Sequence, residues 1–221
     1  MAEAIISCVA AATKQRIVER SATLFMRQGY ASTGVKQIVA EAGAPFGSLY
    51  HFFPAGKEQL GAETIRWSGA RYAQLIDVFF VDGADPVAAT RAFFAAAGET
   101  LRDSGYADAC PIATVALEVS STSEPMREAC AEVFESWISL TQARLLDSGL
   151  TARTARALAI SILASLEGAF VLARALRSTE PLHAAGEDAA AAVRNALARR
   201  RRRALPKSRS AALKRGGLRA R

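Results

Sequence analysis

Small and polar side chains that could contact a nucleic acid are concentrated between positions 45 and 53. In a helix that begins near Pro45, Leu49 would pack inward. The outward side would then carry Gly47, Ser48 and His51. A glycine permits close approach of a backbone, and a hydroxyl or an imidazole can hydrogen-bond to phosphates and base edges. These residue types therefore predict a recognition surface for a polyanion.

The sequence lacks the residue combinations that carry catalysis or bind metals. It contains no Ser/His/acid set, no metal-ligand pattern and no glycine-rich phosphate loop. Three cysteines (Cys8, Cys110 and Cys130) share no close spacing, and only two histidines (His51 and His183) are present. We therefore expect no enzymatic activity, no cofactor, no metal site and no disulfide framework, and a reducing compartment.

The segment 35–53 is predicted to fold as two short helices joined by a tight turn. The buried stripe of the first helix follows an i, i+3, i+4, i+7 spacing, with Val35, Ile38, Val39 and Ala42. Gly43 can take a positive φ and end that helix, and Pro45 suits the first turn of the next. Two helices around a glycine turn form a helix-turn-helix unit, whose second helix can lie in a DNA major groove.

A further helix is expected before this unit, running from an N-cap at Thr13 to about Gln28. Residues 1–12 would then form a flexible N-terminal extension. Thr33 can cap the helix that follows. Lys36 lies close to that helix start and opposes the helix dipole, which is explained if a phosphate lies opposite; the alternative is an ordinary solvated surface lysine.

Charge is divided very unevenly along the 221 residues. Residues 1–57 hold six basic and three acidic side chains, residues 58–198 hold eleven and eighteen, and residues 199–221 hold eleven and none. This asymmetry predicts a polyanion-binding end, an acidic body and a basic tail. Consecutive arginines repel one another, so residues 204–221 are expected to be disordered, either as a solvated extension or as a non-specific DNA clamp.

The run GYASTGVKQIVAEAGAPFGSLYHFFPAGKEQL resembles the DNA-binding domain of the TetR family of bacterial transcriptional repressors. The resemblance covers about residues 13–60 and includes the motifs T-x-V-x-x-I and GSLYHFF. It implies that the phosphate backbone is held by Thr33, Lys36, Tyr50, His51 and Lys57. It also implies that bases are faced by Pro45, Phe46, Gly47 and Ser48.

Phe46 departs from the pattern of these relatives, which commonly carry lysine or another polar residue at this position. An exposed phenylalanine could contact a thymine methyl or wedge into a base step. It could equally tuck into the domain beside Leu49. Both orientations remain open on the sequence alone.

The remainder of the chain is predicted to be helical, at about 57–80, 86–103, 111–119, 124–148, 152–177 and 181–203. No segment shows sustained period-two alternation with hairpin turns, so the fold class is all-α. By the resemblance, residues 13–57 form a three-helix DNA-binding domain with a helix-turn-helix. Residues 58–203 then form a C-terminal helical ligand-binding and dimerisation domain.

Two segments of this body, GYADACPIATVALE and LASLEGAFVLARA, resemble the LmrA/YxaF-like branch of the family. Candidate pocket residues are Phe93, Phe94, Cys110, Phe134, Trp137 and Phe170. Candidate dimer-interface residues, on an apolar stripe that would pair with the helix after Pro181, are Leu158, Ile162, Ser165, Leu166, Ala169 and Ala173. The alternative for that stripe is an ordinary core helix.

Together these features predict a cytoplasmic regulator that binds a palindromic operator as a homodimer and is released by a small hydrophobic effector. No signal peptide is recognisable, and no apolar run approaches the roughly eighteen residues of a membrane span. One alternative is a thiol-based redox sensor using Cys110, although no basic residue lies within three positions to lower its pKa. The other is a less specific DNA-binding protein assisted by the basic tail.

Overall fold

The computed structural model describes residues 2–108 and 110–204 and confirms the all-α class, because no strand occurs in that part of the chain. Its helices are α1 (Ala2–Gln28), α2 (Val35–Glu41), α3 (Gly47–Phe52), α4 (Gly56–Phe79), α5 (Pro86–Asp103), α6 (Pro111–Val119), α7 (Glu124–Asp147), α8 (Ala152–Leu176) and α9 (Glu180–Ala204). From α4 onward, each helix end lies within one residue of its predicted position.

The starts of α5 and α6 show why the sequence specified these boundaries. The Asp85 side chain accepts a hydrogen bond from the Val87 backbone N–H, and Pro86 occupies the first turn, where its missing N–H costs nothing. At α6 the Cys110 sulfur accepts from the Ala113 N–H. A side-chain acceptor followed by proline therefore fixes both helix starts.

The structure changes the prediction for the N-terminal end of the chain. Helix α1 begins at Ala2, so Thr13 lies inside the helix and does not cap it, and residues 2–12 continue α1 instead of forming a separate extension. Alanine and apolar residues dominate that segment, and it has no glycine or proline to stop the helix. The basic tail predicted for residues 204–221 lies outside the described residues, apart from the backbone of Ala204.

The first three helices form a small head, and its buried residues are continuous with the core that runs into the body. Ile17 and Phe25 of α1 pack with Ile38 of α2 and Leu49 of α3, and all four side chains are buried. This packing fixes the angle between α2 and α3. It also leaves the opposite side of α3 free to face a partner.

Helix α4 runs from the head into the body, where it packs most extensively on α7. Glycines permit the close approach of these two helices. A Cβ atom added at Gly69 would lie 2.4 Å from a Val133 methyl carbon, and the Gly69 carbonyl accepts a hydrogen bond of 2.9 Å from the Trp137 indole N–H. The α4–α7 contact therefore depends on the missing side chain at Gly69.

Replacing Gly69 with alanine should destabilise the protein by about 1–3 kcal/mol, because the added methyl overlaps Val133 in a packed interface. Chemical denaturation measures this loss. Val133→Ala is the matched partner: it removes the obstructing methyls, so the double variant should lose less stability than the sum of the single changes. Strict additivity would contradict the packing described here.

The apolar stripe of α8 that was predicted to form the dimer interface lies mostly in the core of the protomer. Ile162, Leu166, Ala169 and Ala173 are buried within the protomer, because this side of α8 packs on α9 and the rest of the body. These four residues therefore cannot contact a partner, and Leu158 and Ser165 are half-buried beside them. The expected stripe is a core face, as the alternative interpretation held.

The opposite side of α8 is exposed and also apolar. It carries Ile160, Val171, Leu172 and Leu176, with the small residues Ala164 and Gly168 between them. By length and composition alone α8 could cross a membrane, and 28% of its most apolar stretch is buried within the protomer. The same composition is expected of a helix with one face in the core and the other in an interface between subunits.

Candidate nucleic-acid interface and ligand cavity

The outer side of α3 forms the centre of the candidate nucleic-acid interface. Leu49 is buried, whereas Gly47, Tyr50 and His51 are exposed and Ser48 is half-exposed, as the helical spacing predicted. Pro45 is also exposed but precedes the helix, whose N-cap is Phe46. A short helix with a glycine and a serine at its start can approach a DNA backbone closely.

Phe46 lies on this surface and does not enter the core of the head. Its side chain is 49% exposed and packs edge-to-face on Tyr50, which is 51% exposed, with ring centroids 5.9 Å apart. The structure thus decides between the two orientations that the sequence left open. Two aromatic rings stand side by side on the outer surface of α3.

Thr33 does not have the position that the family resemblance implied. Its side chain is fully buried, donating a hydrogen bond of 2.6 Å to the Gly29 carbonyl and accepting one from the Gln28 amide at 3.1 Å. The N-cap of α2 is Gly34, which provides no side-chain cap. Because the Thr33 hydroxyl closes the turn between α1 and α2, it is not available to a phosphate in this arrangement.

Lys57 is also directed inward. Its ammonium donates a hydrogen bond of 2.6 Å to the Tyr30 carbonyl and lies 4.1 Å from the centre of the Tyr30 ring. Burial lowers the pKa of Lys57, and the charge of Glu118 partly offsets that effect. Lys57 therefore joins the start of α4 to the head, and it does not project toward a phosphate. Among the predicted phosphate contacts, Lys36, Tyr50 and His51 remain exposed.

A cavity of about 340 Å³ lies in the body between α4, α5, α7 and α8. Four of the predicted pocket residues line it: Phe93, Cys110, Trp137 and Phe170. Phe94 does not, because it is fully buried where α5 crosses α9 at Gly186. Phe134 does not line it either, since its ring packs on the edge of Trp137.

Several cavity residues were not predicted from the sequence. The largest group lies on α4 and just after it, at Tyr72, Leu75, Ile76, Val78, Phe79 and Phe80. Their helical spacing was visible in the sequence, but the same spacing describes any buried face. Ile162 and Leu166, which were predicted to form the subunit interface, also line the cavity.

Two carboxyl groups line this apolar cavity, those of Asp108 and of Glu167 on α8. In the described part of the chain, that of Glu167 is the one without a basic partner. Its Oε1 atom is buried and has no hydrogen-bond partner. Burial raises the pKa of Glu167 to about 7, and a hydrogen bond with the Cys110 thiol acts in the opposite direction. Burial, followed by the charge of Glu167, raises the pKa of Cys110 well above its usual value. This environment disfavours the thiolate that a redox sensor needs.

Two sets of contacts connect the cavity wall to the head. Asp108, which lines the cavity, accepts a hydrogen bond of 2.8 Å from Arg27 of α1. At the other end of α6, the Glu118 carboxylate accepts from the backbone N–H groups of Tyr30 and Ala31, at 3.2 and 2.6 Å. Asp108 therefore touches both the cavity and α1, and α6, which begins beside the cavity at Cys110, contacts the turn between α1 and α2 near its end.

Comparisons with known proteins agree with this division into head and body. Residues 17–64 match the family described as bacterial regulatory proteins, tetR family, and residues 86–188 match the LmrA/YxaF-like transcriptional regulator C-terminal domain. The chain is 34% identical over 170 residues to the uncharacterized HTH-type transcriptional regulator YxaF of Bacillus subtilis, covering 77% of this chain and 89% of that protein.

Two further proteins extend the comparison. The HTH-type transcriptional repressor DhaR of Mycobacterium sp. is 30% identical over 175 residues, covering 76% of this chain and 86% of that protein. The crystal structure of regulatory protein TetR from Rhodobacter sphaeroides superposes with a TM-score of 0.73 at 27% identity, covering 80% of this chain and 97% of that one. These proteins are regulators of transcription and not enzymes. The chain therefore belongs to the TetR family of helix-turn-helix transcriptional regulators, with a C-terminal domain of the LmrA/YxaF-like type.

Proposed function

We propose that this protein is a repressor that binds a palindromic operator as a homodimer in the cytoplasm and is released by a small, mainly apolar effector. The observation that carries the proposal is the connection between cavity and head. Asp108 lines the apolar cavity and accepts a hydrogen bond from Arg27 of the head, and Glu118, near the end of the helix that begins beside the cavity, accepts one from the Ala31 backbone. The relative DhaR is named a transcriptional repressor, which further supports a repressor role.

Binding of the effector would release the operator because the effector and the operator favour different positions of α6. A molecule that fills the cavity against Cys110 would displace the start of α6, and Glu118 would carry the shift to Tyr30 and Ala31. Packed helices respond to such displacements as units. If the two heads then lose the spacing that the operator requires, the coupling is typically about 1–3 kcal/mol and acts equally in both directions.

A dimer would be formed by the exposed apolar face of α8, defined by Ile160, Ala164, Gly168, Val171 and Leu172. The small residues at its centre permit close approach of a second helix. A contiguous apolar face of this length on a soluble protein commonly marks an interface. Two copies related by a two-fold axis would present two α3 helices to half-sites about 34 Å apart, or a multiple of that distance.

Lys36 and Phe46 are proposed to have different roles at the operator, and substitution separates them. Lys36→Ala should weaken binding to all sequences and reduce the slope of log K against log salt by about one, because one phosphate contact is lost. Phe46→Ala should leave that slope unchanged and alter sequence preference. Fluorescence anisotropy at several salt concentrations measures both. An unchanged slope for Lys36→Ala would contradict its phosphate contact.

The proposed function is tested by a linkage experiment with the full chain. Operator DNA is titrated with and without each member of a panel of apolar aromatic compounds, and each compound is titrated with and without DNA. An effector should weaken operator binding by the same factor by which the operator weakens effector binding. If compounds bind the protein but none changes its affinity for DNA, the ligand-responsive part of the proposal is wrong.

A further inference from the structure

The cavity has an unusual imbalance of charge. Its described lining contains two carboxyl groups, Asp108 and Glu167, and no lysine, arginine or histidine. Asp108 is already paired with Arg27 at 2.8 Å. Glu167 also lines a second, neighbouring cavity, whose lining includes Arg174. Within the first cavity, Glu167 is the carboxyl group that is not paired with a basic side chain.

The carboxyl group of Glu167 is not fully paired. It lies on α8 between Leu166 and Gly168, and its neighbours along the cavity wall are Cys110 and Phe170. One carboxyl oxygen, Oε1, is buried without a hydrogen-bond partner. Leaving a buried acceptor unpaired costs free energy, which a donor on a bound molecule would recover.

The other walls of the cavity are suited to a cation with an aromatic or aliphatic body. The lining includes Tyr72, Phe79, Phe93, Trp137 and Phe170, whose ring faces can attract a positive charge. An anion would meet a carboxyl group with no compensating cation. A neutral apolar molecule would fill the space and leave Oε1 unpaired.

We infer that the effector is an organic cation, an amine on an apolar body, whose ammonium group donates to Oε1 of Glu167 while its body packs against the aromatic walls. This inference rests on the proposed function, because it specifies the class of molecule to which the cavity responds. The protonation equilibrium of Glu167 further supports this inference. Burial raises the pKa of Glu167 to about 7, so a bound cation can draw the carboxyl group into its ionised form near neutral pH.

The experiment uses three probes with the same body: 2-naphthylmethylamine, 2-naphthalenemethanol and 2-naphthoate. Binding to the full-length protein is measured by isothermal titration calorimetry. We expect the amine to bind about tenfold or more tightly than the alcohol, and the carboxylate to bind most weakly. In the Glu167→Gln variant the amine should lose this advantage over the alcohol.

The control variant is Glu135→Gln, which alters a carboxylate that is paired with Arg156 away from the cavity lining. It should retain the full preference for the amine. Equal binding of the amine and the alcohol to the wild-type protein would overturn the inference, as would an amine preference that survives Glu167→Gln, and so would failure of all three probes to bind. Tight, Glu167-dependent amine binding without any effect on DNA affinity would support the site while contradicting the proposed effector response.

Discussion

Replacing Leu172 with glutamate is expected to convert the dimer into monomers and to weaken operator binding by roughly 10²- to 10⁴-fold. Leu172 is 56% exposed in the protomer, at the end of the apolar face of α8 that includes Gly168 and Val171. A carboxylate buried there against a second copy would lack a partner and would oppose association. Loss of the dimer removes the linkage between two recognition helices, so each head must bind its half-site alone.

The matched control for this prediction is Val81→Glu. Val81 is also 56% exposed, but it lies just after α4 and is not part of α8. Light scattering coupled to size exclusion gives the oligomeric state, and anisotropy gives operator affinity. A Leu172→Glu protein that remains dimeric and binds DNA normally would show that the interface is elsewhere.

Replacing Glu118 with alanine is expected to uncouple the cavity from the head. Glu118 accepts hydrogen bonds from the backbone of Tyr30 and Ala31, and its carboxylate lies so close to Gly29 that a Cβ there would be 2.0 Å from Oε1. The variant should still bind DNA and the best-binding member of the aromatic panel, but the roughly 5- to 150-fold coupling between them should fall toward one.

Glu135→Ala is a suitable control for this experiment because Glu135 makes a comparable pair of contacts, to Arg156, that do not involve the head. Its coupling factor should equal that of the wild-type protein. Thermal melting of both variants establishes that each is folded. If Glu118→Ala keeps the full coupling factor, the connection through α6 is not the route by which the cavity influences the head.

Local signals in the sequence were sufficient for most of the fold. Asp85 before Pro86 and Cys110 before Pro111 marked helix starts that the structure reproduces. At the N-terminus, Thr13 was mistaken for a cap because its side chain suits that position. The alanine-rich segment before it, which has no glycine or proline, was the local signal that the helix begins earlier.

The candidate sites were harder to predict, since side-chain direction depends on tertiary packing. Ile162 and Leu166 were correctly recognised as an apolar stripe of α8, but both sides of that helix are apolar, and sequence spacing does not distinguish core from interface. Thr33 and Lys57 match family positions by type, yet their hydrogen bonds to Gly29 and Tyr30 are visible only in the fold. Phe46 could be oriented only once its contact with Tyr50 was known.

The most direct test of the central claim is selection of bound fragments from random-sequence DNA by the purified full-length protein. The proposed function predicts enrichment of a palindrome whose half-site centres are about 34 Å apart, or a multiple of that distance, because two α3 helices related by a two-fold axis must enter separate major grooves. Enrichment of a single asymmetric site, or of no sequence at all, would contradict the account of this protein as a dimeric operator-binding repressor.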